Sequence, residues 1–87
     1  MDAVHKKKAE LLKALGHQIR FCIVEGLLDG EQNVGTMTHC TNVPQPTVSQ
    51  HLNILKSAGI IEAKRDGNQM RYSVCSEQAR KVIKAMR

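Results

Sequence analysis

At 87 residues the chain has room for one compact core, so residues 1–87 are expected to form a single domain with no second folding unit. The 13 Lys and Arg against 8 Asp and Glu give a formal net charge of +5, which favours an anionic partner, nucleic acid first among them. Cys22, Cys40 and Cys75 lack paired close spacing, which argues against a disulfide framework or a closed zinc knuckle and fits a reducing cytoplasm. The charged start from Met1 to Ala9 and the lack of a long apolar run argue against secretion and against any membrane partner.

From Ala3 to Leu15, the residues Val4, Leu11, Leu12 and Leu15 recur at helical spacing and predict an amphipathic first helix, with Lys6, Lys7 and Lys8 on a solvated face. Gly16 interrupts that pattern. Ile19, Ile23, Val24, Leu27 and Leu28 then line a second helix, which Asp29-Gly30 closes. A short third helix is expected between Val34 and Thr41. The segment Val43-Pro44-Gln45-Pro46 makes a turn, and Thr47 to Ala58 resumes the helical period through Val48, Leu52 and Leu55. Gly59 ends that helix. Two strands follow, Ile60 to Arg65 and Gln69 to Val74, with Asp66-Gly67 expected to supply the hairpin turn. Ser76 caps a last helix whose apolar stripe, Ala79, Val82, Ile83 and Met86, has little left to pack on. Val82, Ile83 and Met86 are therefore expected in a two-fold seam between copies of the chain.

This order describes a mainly α fold with a β-hairpin wing, a winged helix-turn-helix, in which the helix after the turn enters the major groove of duplex DNA. Opposite Val48, Leu52 and Leu55 stand Gln45, Thr47, Ser49, Gln50 and His51, short or amide side chains suited to base edges and phosphates, with Lys56 near the far end. Polar residues opposite an apolar stripe occur on most surface helices. The hairpin tips the balance, because Lys64, Arg65 and Arg71 gather near its Asp66-Gly67-Asn68-Gln69 tip and can follow a phosphate backbone.

Three blocks carry a resemblance: Leu15-Gly16-His17-Gln18-Ile19-Arg20; Val43-Pro44-Gln45-Pro46-Thr47-Val48-Ser49-Gln50-His51-Leu52; and Leu55-Lys56-Ser57-Ala58-Gly59-Ile60-Ile61. With the Arg-x-Gly-x-x-x-Tyr-Ser wing, nearly the whole chain resembles the ArsR/SmtB repressors. The resemblance implies a homodimer on a palindromic operator, released by a metal or another signal. It also implies that Gln45, Thr47, Ser49, Gln50 and His51 are recognition-helix positions and that Arg65, Asn68 and Arg71 belong to the wing. The family's metal sites do not carry over. Asn33, Val34 and Gly35 stand where a Cys-x-Cys pair would be, and the last helix contains no His or Asp. No cofactor or metal is expected.

What remains for sensing is thiol chemistry. Cys22 lies between Ile19 and Ile23, near Arg20, and Cys40 falls where the family usually has a small packed residue, so Cys22 and Cys40 are the candidate sensor thiols. Cys75, at the end of the second strand, is expected to be inert. A metal-responsive repressor with an atypical site, a constitutive DNA binder and a protein-contact module are the alternatives. An enzyme is not expected, since no nucleophile and base, carboxylate pair or phosphate-binding loop is recognisable. Tyr72 and Phe21 alone give too few platforms for single-stranded RNA.

Overall fold

The computed structural model describes residues 2–87, except for the side chains of His39 and Cys40. Its elements are α1 (Ala3–Leu15), α2 (Gln18–Leu27), α3 (Val34–Thr41), α4 (Gln45–Ser57), β1 (Ile61–Asp66), β2 (Gln69–Val74) and α5 (Glu77–Ala85). The mainly α fold with one hairpin is therefore as expected. Among the described residues no helix is long and apolar enough to cross a membrane.

Side chains cap most of the helix starts, each accepting an amide that would otherwise lack an intrahelical partner. Asp2 accepts from His5, His17 from Ile19, Asn33 from Thr36 and Ser76 from Ala79. Helix α4 has no such bond and begins with Pro44 at its cap. It starts at Gln45, two residues earlier than the pattern suggests, because Pro46 sits in the first turn, where a missing amide hydrogen leaves no acceptor unsatisfied. The turn between α3 and α4 is made by Asn42 in the left-handed region, φ 59°, with its amide bonded to Thr38 O at 3.0 Å.

One apolar core joins every element. Val48, Leu52 and Leu55 of α4 pack with Ile23, Val24 and Leu27 of α2, Met37 of α3, Leu15 of α1 and Ile61 and Val74 of the hairpin, all buried. Ala79 and Ile83 of α5 close this core with no exposed surface at all. The expectation that Ile83 lies in an intermolecular seam is thereby corrected. Residues 79 and 83 form one stripe of α5 and residues 82 and 86 the next. The first stripe turns inward, leaving Val82 half-buried and Met86 69% exposed.

The hairpin pairs Ile61 with Val74 through Asp66 with Gln69. Its two-residue loop is Gly67-Asn68 and not the expected Asp66-Gly67, since Asp66 still pairs in the ladder. Gly67 has φ +63° and Asn68 lacks a positive φ, the arrangement of a type II′ turn, which needs glycine at its first central position. Gln32, ahead of α3, exchanges two backbone bonds with Tyr72 at 2.8 and 3.2 Å and so adds a one-residue third strand to the wing beside β2.

Ile83→Ala should cost about 2–5 kcal/mol in urea unfolding, as deletion of a fully buried aliphatic does. A loss that vanished at high protein concentration would return Ile83 to the seam.

Candidate nucleic-acid interface

Helix α4 carries the candidate recognition face, and its period decides which side chains reach outward. With Val48, Leu52 and Leu55 buried, Pro46, Gln50, Asn53 and Ser57 lie in line and exposed. Gln45, at the helix start, and Lys56, in its last turn, are exposed as well. Thr47, Ser49 and His51 are half-buried on the flanks of the helix and do not stand opposite the core. Sequence reasoning passed over Asn53, although it follows Gln50 by three residues and its amide matches an adenine edge as well as Gln50 does. The helical spacing alone could have identified it. Lys56 also has a purely local role available, offsetting the negative end of the α4 dipole.

His51 faces the start of α2. Arg20 Nη1 donates to His51 Nδ1 at 3.2 Å, Arg20 Nε donates to Ala14 O at 2.6 Å, and the His17 and His51 rings lie 4.5 Å apart, tilted by 43°. Burial foremost, then the adjacent His17 and Arg20, push His51 below the usual histidine value of 6.5. It is therefore a neutral imidazole at neutral pH.

The wing cations do not converge as the sequence suggested. Lys64 and Arg71 are cross-strand partners on one face, while Arg65, opposite Met70, lies on the other. Arg71 is also held by Asp66, Nε to Oδ2 at 2.7 Å, so its charge is partly compensated. Asn68 is at the exposed tip. Beside it, Asn33 Nδ2 donates to Gln69 Oε1 at 3.3 Å across a cleft of about 350 Å³ that Gln45 and Tyr72 also line. This cleft separates the wing from the helix-turn-helix, and the amides of Asn33, Gln45, Asn68 and Gln69 make up half of its wall.

Away from these groups runs an apolar surface. Val4, Leu12 and Met86 are 59%, 55% and 69% exposed, and Leu12, Leu15, Phe21, Val82 and Met86 line a groove of about 430 Å³. Of the candidate sensor thiols, Cys22 is exposed on α2, whereas the Cys40 side chain lies outside the described residues. Cys75 Sγ donates to Gly59 O at 3.5 Å. Among the described residues no three His, Cys, Asp or Glu side chains are placed to share a metal ion.

A polar helix face presented across a tight turn, with a hairpin of cationic strands beside it, defines a winged helix-turn-helix DNA-binding protein. The chain belongs to the arsR family of bacterial regulatory proteins, whose family model matches residues 17–63. It is similar to the biofilm growth-associated repressor of Xylella fastidiosa, 36% identical over 86 residues that cover 99% of this chain and 75% of the relative. HlyU from Vibrio cholerae superposes with a TM-score of 0.93 at 28% identity, covering 99% of this chain and 94% of that one. The homodimeric winged helix-turn-helix DNA-binding domain Mb0332 of Mycobacterium bovis superposes with a TM-score of 0.88 at 30% identity, over 97% and 78% of the two chains. The family is one of transcription regulators and not of enzymes.

Acid should destabilise the fold through His51. Above 6.5 the ring is neutral in both states, but as pH falls below that value the unfolded chain takes up a proton that the folded ring resists. The melting temperature should therefore drop as pH is lowered from about 7.5 to about 5.5, and His51→Gln should reduce that slope. Parallel melting curves for the two proteins would count against the assignment.

Proposed function

We propose that the chain is a cytoplasmic transcriptional repressor that binds a palindromic operator as a homodimer and leaves it on a thiol-reactive signal. The observation that carries this reading is the exposed polar line on α4, Gln50 with Asn53, fixed from behind by three fully buried residues of the same helix. Such a helix holds amide side chains at the depth where major-groove edges are read. Repression is supported by the Xylella relative, which is named a repressor. Dimerisation is supported by the Mycobacterium bovis neighbour, which is described as homodimeric, and by the exposed apolar residues of α1 and α5 in this chain. Two copies related by a two-fold axis present two such helices, and the matching DNA is a palindrome.

The thiol signal rests on Cys22, whose exposed side chain an oxidant or electrophile can reach. Operator release by peroxide that persists in Cys22→Ser would end that assignment, and release by zinc or cadmium alone would favour an atypical metal sensor. A protein that answers to neither is a constitutive binder.

Selection of bound duplex from a random pool tests DNA binding directly, and failure to select any sequence would favour a protein-contact module. On the selected duplex Gln50→Ala should lose about 1–3 kcal/mol with little change on random DNA. Arg65→Ala should weaken both targets and lower the salt slope by about 1. Equal losses for Gln50→Ala on the two duplexes would deny it a role in readout.

The double substitution Leu12→Glu with Met86→Glu should give monomers in sedimentation and weaker operator binding, because the half-sites are then no longer tethered. Both side chains are exposed in the single chain, so the fold itself should survive. A dimer that persisted would place the seam elsewhere.

A further inference from the structure

Arg20 is a residue that the DNA-binding assignment leaves without a role. It sits half-buried where α1 passes into α2 and reaches back to Ala14 O through Nε and across to the recognition helix through Nη1. A guanidinium has donors only and keeps its proton, so His51 Nδ1 must be the acceptor in the 3.2 Å bond. That fixes the tautomer: the ring proton is on Nε2. The His17 ring packs against the same imidazole, while its own Nδ1 accepts from the Ile19 amide at 3.1 Å. The residues that open α2 thus hold His51 from behind, and His51 lies on the flank of α4 one turn after Thr47.

We propose that Arg20 is a positioning residue for DNA recognition: by donating to His51 Nδ1 it leaves Nε2–H as the one donor that His51 offers, held in place for an acceptor on the duplex. The inference rests on the DNA-binding assignment of α4. The acceptor is a phosphate oxygen or a purine edge, both of which take a single N–H. The guanidinium behind the ring polarises the imidazole and strengthens that outward donor, as successive hydrogen bonds in a chain do. The contact is a directed neutral hydrogen bond and not a mobile cation, which suits a residue on the flank of the helix.

The test uses full-length protein on a duplex selected from a random pool and on a random-sequence duplex, read by fluorescence anisotropy at one salt concentration. Arg20→Met should weaken binding about three- to tenfold, because the imidazole then loses its fixed orientation and its polarisation together with part of its Nε2–H population. His51→Gln, whose amide nitrogen replaces Nε2–H, should keep most of the affinity. In that background Arg20→Met should change binding by less than about twofold, since the amide no longer needs its tautomer fixed. Loss on both duplexes assigns the acceptor to phosphate, and loss on the selected duplex alone assigns it to a base edge. Equal losses from Arg20→Met in both backgrounds would overturn the proposal and make Arg20 a clasp between helices.

A nitrogen-detected imidazole spectrum reads the tautomer itself, independently of DNA affinity. It should show His51 protonated on Nε2 in the wild type and a mixture of tautomers in Arg20→Met, or in Arg20→Gln, whose amide can either donate or accept, if the first variant does not fold. An unchanged tautomer would also overturn the proposal. Wild-type protein that bound neither duplex would overturn the DNA-binding assignment together with the inference, whereas binding with additive losses overturns the inference alone.

Discussion

The recognition helix is anchored from behind. Its first turn has no capping side chain and opens on two prolines, so its position is set by the burial of Val48, Leu52 and Leu55 against α2 and the rest of the core. Each such side chain contributes on the order of 1.5–3 kcal/mol by leaving water. In a domain of this size that is a large share of the margin between folded and unfolded. No buried polar or charged residue occurs among the described residues, so this core fixes the register of α4 by shape alone. Whatever α4 does at a duplex depends on that packing.

The charge of the chain is divided by residue type. All five arginines, Arg20, Arg65, Arg71, Arg80 and Arg87, make hydrogen bonds within the chain, to Ala14 and His51, Gly67, Asp66, Val74 and Glu25 respectively. Arg80 ties α5 to the end of β2, and Arg87 ties it to the end of α2, where Glu25 and Asp29 lie within 3.8 and 3.5 Å. The lysines, Lys64 and Lys56 included, form no ion pair among the described residues. The planar guanidinium serves the fold as a geometric clasp, and only Arg71 and Arg87 have their charge offset by a carboxylate, so the other three arginines add to the field of the lysines. The formal net charge therefore says little about where the chain holds its partner.

The helices were legible because each repeats apolar residues at helical spacing between clear stops, as α2 does between Gly16 and Asp29-Gly30. The fold class followed from their order. What was not legible depends on contacts between elements. The apolar positions of α5 form two neighbouring stripes, and the sequence alone could not say that Ile83 turns inward and Met86 outward. The compensation of Arg71 by Asp66 depends on strand register, which is fixed only once the loop is known to be Gly67-Asn68. The link between Arg20 and His51 spans 31 positions and has no local pattern. Asn53 is a different case, since its place three residues after Gln50 already put it on the exposed line.

The backbone exchange between Gln32 and Tyr72 has a consequence for the DNA itself. Gln32 immediately precedes the cap of α3, so the wing and the helix-turn-helix are fastened to one frame instead of being joined only through the end of α4. The distance between α4 and the hairpin is then constrained by this bridge as well as by the end of α4. On the proposed reading a duplex must bring its backbone to that separation, which it can do through twist, bending and groove width. Overwound or underwound steps beside the half-site shift the phosphates relative to the hairpin without altering any base that α4 touches. On that reading, sequences that readily adopt the shape the frame presents would be favoured beyond the bases that α4 touches.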